Sequence, residues 1–212
     1  MSRAAAMFLP ALCLLAVAGT ASAQGRSGCR SPQPPSVGVG FGASLPYLEL
    51  ASNVGDVEAA SSVSVRGGVQ FSGRADLSVT GPLRVRLEGA AARWDVRQTL
   101  YDSDGGYDVI SERSIDHMTA RHLVALVGVR VGRAPTCAHV SAGGGLYSIG
   151  LRGASVRRGG VAIAAGMEIP TGSRGAVQID ATLHLIGTRD APPLASTTVP
   201  ALSLLAGWAY RF

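Results

Sequence analysis

The sequence contains no lysine: all 19 of its basic residues are arginine. Charged residues make up only 16% of its 212 positions, so the dense mixture of Lys, Arg, Asp and Glu that covers a small soluble domain is missing. The formal charge is +5. The arginines are nevertheless scattered one or two per segment, with no basic helix or run, which argues against nucleic-acid binding. Aromatics are scarce at 5%. Three cysteines occur without a Cys-x-x-Cys or a His/Cys grouping, so the pattern of a structural zinc site is absent. Beyond residue 23 no segment has helical spacing. Gly143-Gly144-Gly145 and Gly38-x-Gly40-x-Gly42 are therefore not phosphate loops, because no helix follows to supply the amide cluster.

What is present begins with an export segment. Arg3 gives a positive start, Ala4 to Ala18 an apolar stretch, and Ala21-Ser22-Ala23 a small-x-small cleavage site. The apolar run falls short of the roughly 20 residues of a spanning helix. Residues 1–23 read as a cleaved signal peptide, which removes one arginine and no acid and lowers the charge from +5 to +4. Residues 24–35 form a Pro-rich lead-in, and 36–212 one folding unit. Cys13 leaves with the signal, and Cys29 and Cys137 remain for an oxidising compartment.

The folding unit alternates apolar and polar residues with period two, as half-buried strands do. Val177, Ile179, Ala181, Leu183 and Leu185 share one face, and Gln178, Asp180, Thr182 and His184 the other. Similar alternation runs through 37–45, 68–79, 83–88, 161–169 and 200–212. Residues 123–131, where Val124 and Leu126 interrupt the polar face, and 137–149 are less regular. Eight strands result. The connections at 80–82, 132–135 and 170–174 are short and contain proline, whereas 49–62, 102–116, 152–158 and 188–197 are mostly longer and polar. The two kinds alternate, so all short turns lie at one end of an up-and-down meander, together with both termini.

Such alternation suits a soluble barrel with its apolar face inward or a membrane barrel with that face outward. Here the polar face is largely Gly, Ser, Ala and Thr with a few ions, as suits a crowded interior. The expected interior charges are Arg66, Arg74, Asp76, Arg84, Arg86, Glu88, Arg130, Glu168 and Asp180, with Arg211 near the end. Both signs occur, as pairing of buried ions requires. The apolar face is nearly free of charge at each strand centre, and an arginine at a membrane midplane costs roughly 2–4 kcal/mol.

With these features and a terminal Trp208-Ala209-Tyr210-Arg211-Phe212, the chain resembles the small eight-stranded outer-membrane β-barrels of Gram-negative bacteria, the OmpA/OmpX/OmpW type, over about residues 36–212. The resemblance implies an all-β, eight-stranded antiparallel transmembrane barrel in the outer membrane, surrounded by its lipid. It also implies that Trp208, Tyr210 and Phe212 form a C-terminal signal read by the barrel-assembly machinery. The chain departs from the family in its thin aromatic girdles, for which Tyr47, Trp94, Tyr101 and Tyr147 are candidates at the outer rim. Cys29 and Cys137 both fall at the periplasmic end, where they either form a disulfide tethering the lead-in or remain two free thiols.

Catalytic patterns are weak. His139-Val140-Ser141 has the His-x-Ser spacing of outer-membrane lipid A deacylases, but its parity points inward and Ala142 replaces the asparagine that commonly follows. His184 and Asp180 share the interior face and read as a hydrogen-bonded pair. His117 and His122 differ in parity and form no metal pair. Asp102, Asp104 and Asp108 lack the bidentate Glu of a calcium loop. The expectation is a non-enzymatic, monomeric protein without a cofactor, with a structural or surface-interaction role and a narrow lumen filled by side chains. The alternatives are a small-solute channel or lipid-active enzyme, and a secreted soluble barrel.

Overall fold

A computed structural model describes Cys29 and residues 33–50, 61–101, 109–133, 136–151, 154–187 and 198–212. Residues 1–28, the expected signal segment among them, and most of the longer connections lie outside the described residues. Nine strands follow in chain order: β1 (Ser36–Pro46), β2 (Leu48–Leu50), β3 (Ser61–Thr80), β4 (Leu83–Tyr101), β5 (Val109–Arg133), β6 (Thr136–Leu151), β7 (Ala154–Pro170), β8 (Gly175–Gly187) and β9 (Thr198–Arg211). β1 and β2, interrupted at Tyr47, both pair with β3 and form one stave. Each later strand pairs antiparallel with its predecessor. β1 closes the ring by pairing with β9 as well, so that Val39 lies opposite both Gly73 and Trp208. The result is an eight-stave up-and-down barrel, closed through β1, which has a partner on each side.

At the short-turn end, Gly81 and Gly172 take positive φ (49° and 118°), which a residue without a side chain adopts at no steric cost. The lead-in runs along this end: the Gln33 amide donates to Ser78 Oγ at 3.2 Å, and the Phe212 amide to the Pro35 carbonyl at 3.0 Å. Cys29 and Cys137 form a disulfide here, with Cα atoms 5.7 Å apart.

The strands at the other end are longer than their apolar alternation. β4 continues to Tyr101, and β5 starts at Val109, inside a segment expected to be a loop. Among the described residues 23 large apolar side chains are exposed, with Leu146 at 69% and Phe71 at 62%. They form a belt around the outside: Val37, Val39 and Phe41 on β1, Val69, Phe71 and Leu77 on β3, Leu123, Val127 and Val129 on β5, Val161 and Ile163 on β7, Val177 and Ile179 on β8. Among the described residues no charged side chain lies within it, and Arg93, opposite Val69, stands at its upper margin. The outward run covers 9 residues on β5 (123–131) and 11 on β3 (69–79). At about 3.4 Å per residue and a tilt near 40° that is a band about 21–26 Å tall, close to the roughly 25 Å apolar band of a membrane barrel.

Candidate functional site

The barrel interior contains two layers of different chemistry. Nearer the short turns, alternate positions on seven strands point inward and bring ions together. Asp180 on β8 is bridged by Arg74 from β3, by Arg86 Nη1 from β4 at 3.0 Å and by His139 Nε2 from β6 at 2.7 Å. Asp76 takes Arg84 Nη2 and Arg86 Nε, each at 2.9 Å. Glu168 on β7 accepts from Arg130 Nη2 at 3.1 Å, from Gln178 Nε2 at 3.2 Å and from Arg211 at the rim. Glu88 lies 3.9 Å from Arg86 and 3.6 Å from His122. Arg74, Arg84, Arg86 and Arg130 thus face Asp76, Glu88, Glu168 and Asp180, all at most 6% exposed. Small residues make this crowding possible. A Cβ on Gly166 would stand 2.6 Å from Asp180 Oδ1 and 2.8 Å from the His139 ring.

Toward the other end the interior becomes apolar. Val65, Trp94, Val96, Met118, Val124, Leu126, Tyr147, Ile149, Ile186 and Val199 pack in one buried cluster. Its few polar atoms are paired: Trp94 Nε1 donates to Ser44 Oγ at 3.0 Å, and Tyr147 Oη lies 3.0 Å from His184 Nδ1.

Several residues stand elsewhere than the alternation suggests. Arg66, expected inside, points outward with 60% of its side chain exposed, 3.5 Å from Glu112. The register against β4 slips between Arg66 and Val69, at Gly67-Gly68, and a one-residue slip reverses which face a side chain occupies. Trp94 and Tyr147, candidates for the outer rim, are inward and buried at 2% and 3%. Asp180 partners His139 rather than His184, whose contact is Tyr147. Ser141, buried at 3%, has no hydrogen-bond partner on its hydroxyl among the described residues, and His139 turns Nε2 to Asp180. No nucleophile–base hydrogen bond therefore links the His-x-Ser pair.

Above the belt the outer surface carries its own ions. Asp95 on β4 accepts from Arg97 Nε at 2.6 Å and from the Ser114 hydroxyl. These donors, Ser114 first, hold its carboxyl below the ordinary value of 3.8. At the short-turn end Trp208, Tyr210 and Phe212 stand in a row with ring centroids 6.1 and 5.4 Å apart, and Arg174 Nη1 donates to the Tyr210 hydroxyl at 2.9 Å.

No protein-family model matches the chain, and no curated protein is similar to it in sequence. Solved structures are similar in fold. The outer membrane protein OprG from Pseudomonas aeruginosa superposes with a TM-score of 0.59 at 10% identity, covering 88% of this chain and 99% of that one. The fold is that of the small outer-membrane β-barrels. Neisserial surface protein A gives 0.56 at 13% identity over 86% and 99% of the two chains. The outer membrane protein AlkL, solved in DMPC lipid bilayers, gives 0.52 at 14% over 90% and 96%. In an outer-membrane barrel fold, an apolar belt outside and an ionic layer inside occupy the places that lipid and lumen take.

Proposed function

We propose that the protein is an integral outer-membrane barrel of a Gram-negative bacterium with a structural or surface-interaction role, its lumen filled by its own side chains. The observation that carries this reading is the reversal of polarity across one wall: Leu123, Val127 and Val129 point out and are exposed, while Arg84, Arg86 and Glu88 on the neighbouring strand point in and are buried. Water outside would leave a continuous apolar belt far beyond the few hundred Å² that soluble monomers expose. Lipid outside makes that belt favourable and requires a closed ring, which the pairing supplies.

An eight-stranded barrel has an interior just wide enough for side chains. The ion-paired layer and the apolar cluster above it act in series, and a solute would have to displace both. This favours a closed barrel over a small-solute channel. Residues 24–35 are the periplasmic lead-in, tied beneath the barrel by Cys29–Cys137, and Trp208, Tyr210 and Phe212 are the strand presented to the assembly machinery. The longer connections meet the surroundings on the other side.

Fractionation of cells followed by planar-bilayer recording tests this reading. The protein should sediment with the outer membrane, migrate faster on detergent gels unheated than boiled, and give no stable conductance. A protein soluble without detergent would remove the membrane reading, and large stable channels would remove the closed lumen.

A further inference from the structure

We propose that the outer surface just above the apolar belt binds the phosphorylated headgroup of an outer-leaflet glycolipid, between Arg121 and Arg157; the inference rests on the membrane reading given above. Arg121 on β5 lies directly opposite Ser148 on β6, and Ser148 opposite Arg157 on β7. Neighbouring strands run about 4.8 Å apart, so the two arginine backbones stand about 10 Å apart with a hydroxyl between them. Two arginine side chains span that distance around one tetrahedral anion. One row further from the belt, Thr119, Gly150 and Ser155 face one another in the same way. Together these residues line a cleft of about 360 Å³ on the outside of the wall.

Height, charge and chemistry each point to a lipid phosphate. One outward position below the row stand Leu123 and Leu146, 53% and 69% exposed, which are the top of the belt on β5 and β6. The arginines therefore occupy the level at which acyl chains give way to headgroups. They stand at the end opposite the short turns and the lead-in, which in this topology faces the outer leaflet. Arg121, Arg157 and the flanking Arg93, opposite Thr119, are all exposed, and none has a carboxylate partner among the described residues. The acids closest in register are already engaged, Asp95 by Arg97, Ser114 and His117, and Glu112 by Arg66 and Arg97. Like charges at a membrane surface repel one another unless an anion lies between them. Guanidinium forks match phosphate oxygens in pairs, and Ser148 and Thr119 add hydroxyl donors.

The test uses the full mature protein in phosphatidylcholine nanodiscs and measures the Kd for bisphosphorylated lipid A and for its dephosphorylated form. The phosphorylated lipid should bind at least about tenfold more tightly, as the loss of one charge-assisted hydrogen bond implies. The double variant Arg121→Gln/Arg157→Gln should lose that preference, and so should Ser148→Asp, which places a carboxylate between the arginines. Both changes are on the outer surface and should leave the heat-modifiable gel migration intact. Variants that insert normally and keep wild-type affinity would overturn the site while the membrane reading stands. Equal binding of the two lipids, or displacement by inorganic phosphate as effective as by lipid, would do the same. A protein that never enters bilayers would overturn both.

Discussion

Asp180→Asn removes one charge and almost no volume from the most connected point of the interior. The carboxylate bridges Arg74, Arg86 and His139 from three other strands. After the change Arg86 keeps Asp76 at 2.9 Å, but Arg74 has no other carboxylate within ion-pair distance among the described residues, Asp76 acting on it only from further away. Both Arg74 and Asp180 side chains are 1% exposed, so solvent does not screen the loss. Removing one partner of a buried pair costs about 3–5 kcal/mol, because the remaining charge stays buried without compensation. Adding Arg74→Met to Asp180→Asn removes that stranded charge, and the double variant should recover at least about 2 kcal/mol relative to the sum of the singles, within the range of such couplings. Urea unfolding of the protein refolded into lipid vesicles, followed by heat-modifiable migration, measures all four members of the cycle. Asp180→Asn within about 1 kcal/mol of wild type, or a strictly additive double variant, would refute the reasoning.

Three other outcomes follow from separate parts of the molecule. Thiol labelling of denatured, unreduced mature protein should find neither Cys29 nor Cys137 reactive, and two reactive thiols would contradict the tether. Deleting Phe212, or adding a polar tag after it, should lower the amount of folded protein in the outer membrane while leaving refolding into detergent largely intact; unchanged membrane levels would remove the assembly-signal reading. Above the belt, the carboxyl of Asp95 is held below 3.8. Its contribution to stability is thus present above the unfolded value and is lost as pH falls through the lower folded one. Carboxyl chemical shifts should show the Asp95 midpoint below 3.8 in the wild type and higher in Ser114→Ala; an unmoved midpoint would contradict that cause.

β8 and β9 were legible from sequence because Val177 to Leu185 and Leu202 to Phe212 lie within the belt, where the large apolar side chains point outward, Leu205 excepted, which is buried inside at 3%. The upper half of β4 was not. Past the belt the outside is water and the inside is a protein core, so the meaning of the alternation reverses: Arg93 and Asp95 face out, and Ala92, Trp94 and Val96 face in. The same reversal placed Tyr147 wrongly at the rim. Val124 and Leu126, which blurred the polar face of β5, are members of the apolar interior cluster. Arg66 was misplaced by the slip at Gly67-Gly68, which a strict period of two does not register. Parity identified which ions point inward, but the partners of each are set by cross-barrel distance. The contact of His139 with Asp180 joins β6 to β8 across an intervening strand and has no local signature.

One face of the wall is proposed to meet lipid and the other the protein's own interior, and the chain has only two tryptophans, one for each side. Trp208 faces out at 47% exposure, whereas Trp94 faces in at 2%. Single-tryptophan variants, Trp94→Phe and Trp208→Phe, inserted into vesicles containing brominated lipids, report each side separately. Bromine should quench Trp208 strongly, and Trp94 should be reached by neither brominated lipid nor aqueous acrylamide. Quenching of Trp94 by lipid, or of Trp208 by acrylamide but not by lipid, would contradict this arrangement.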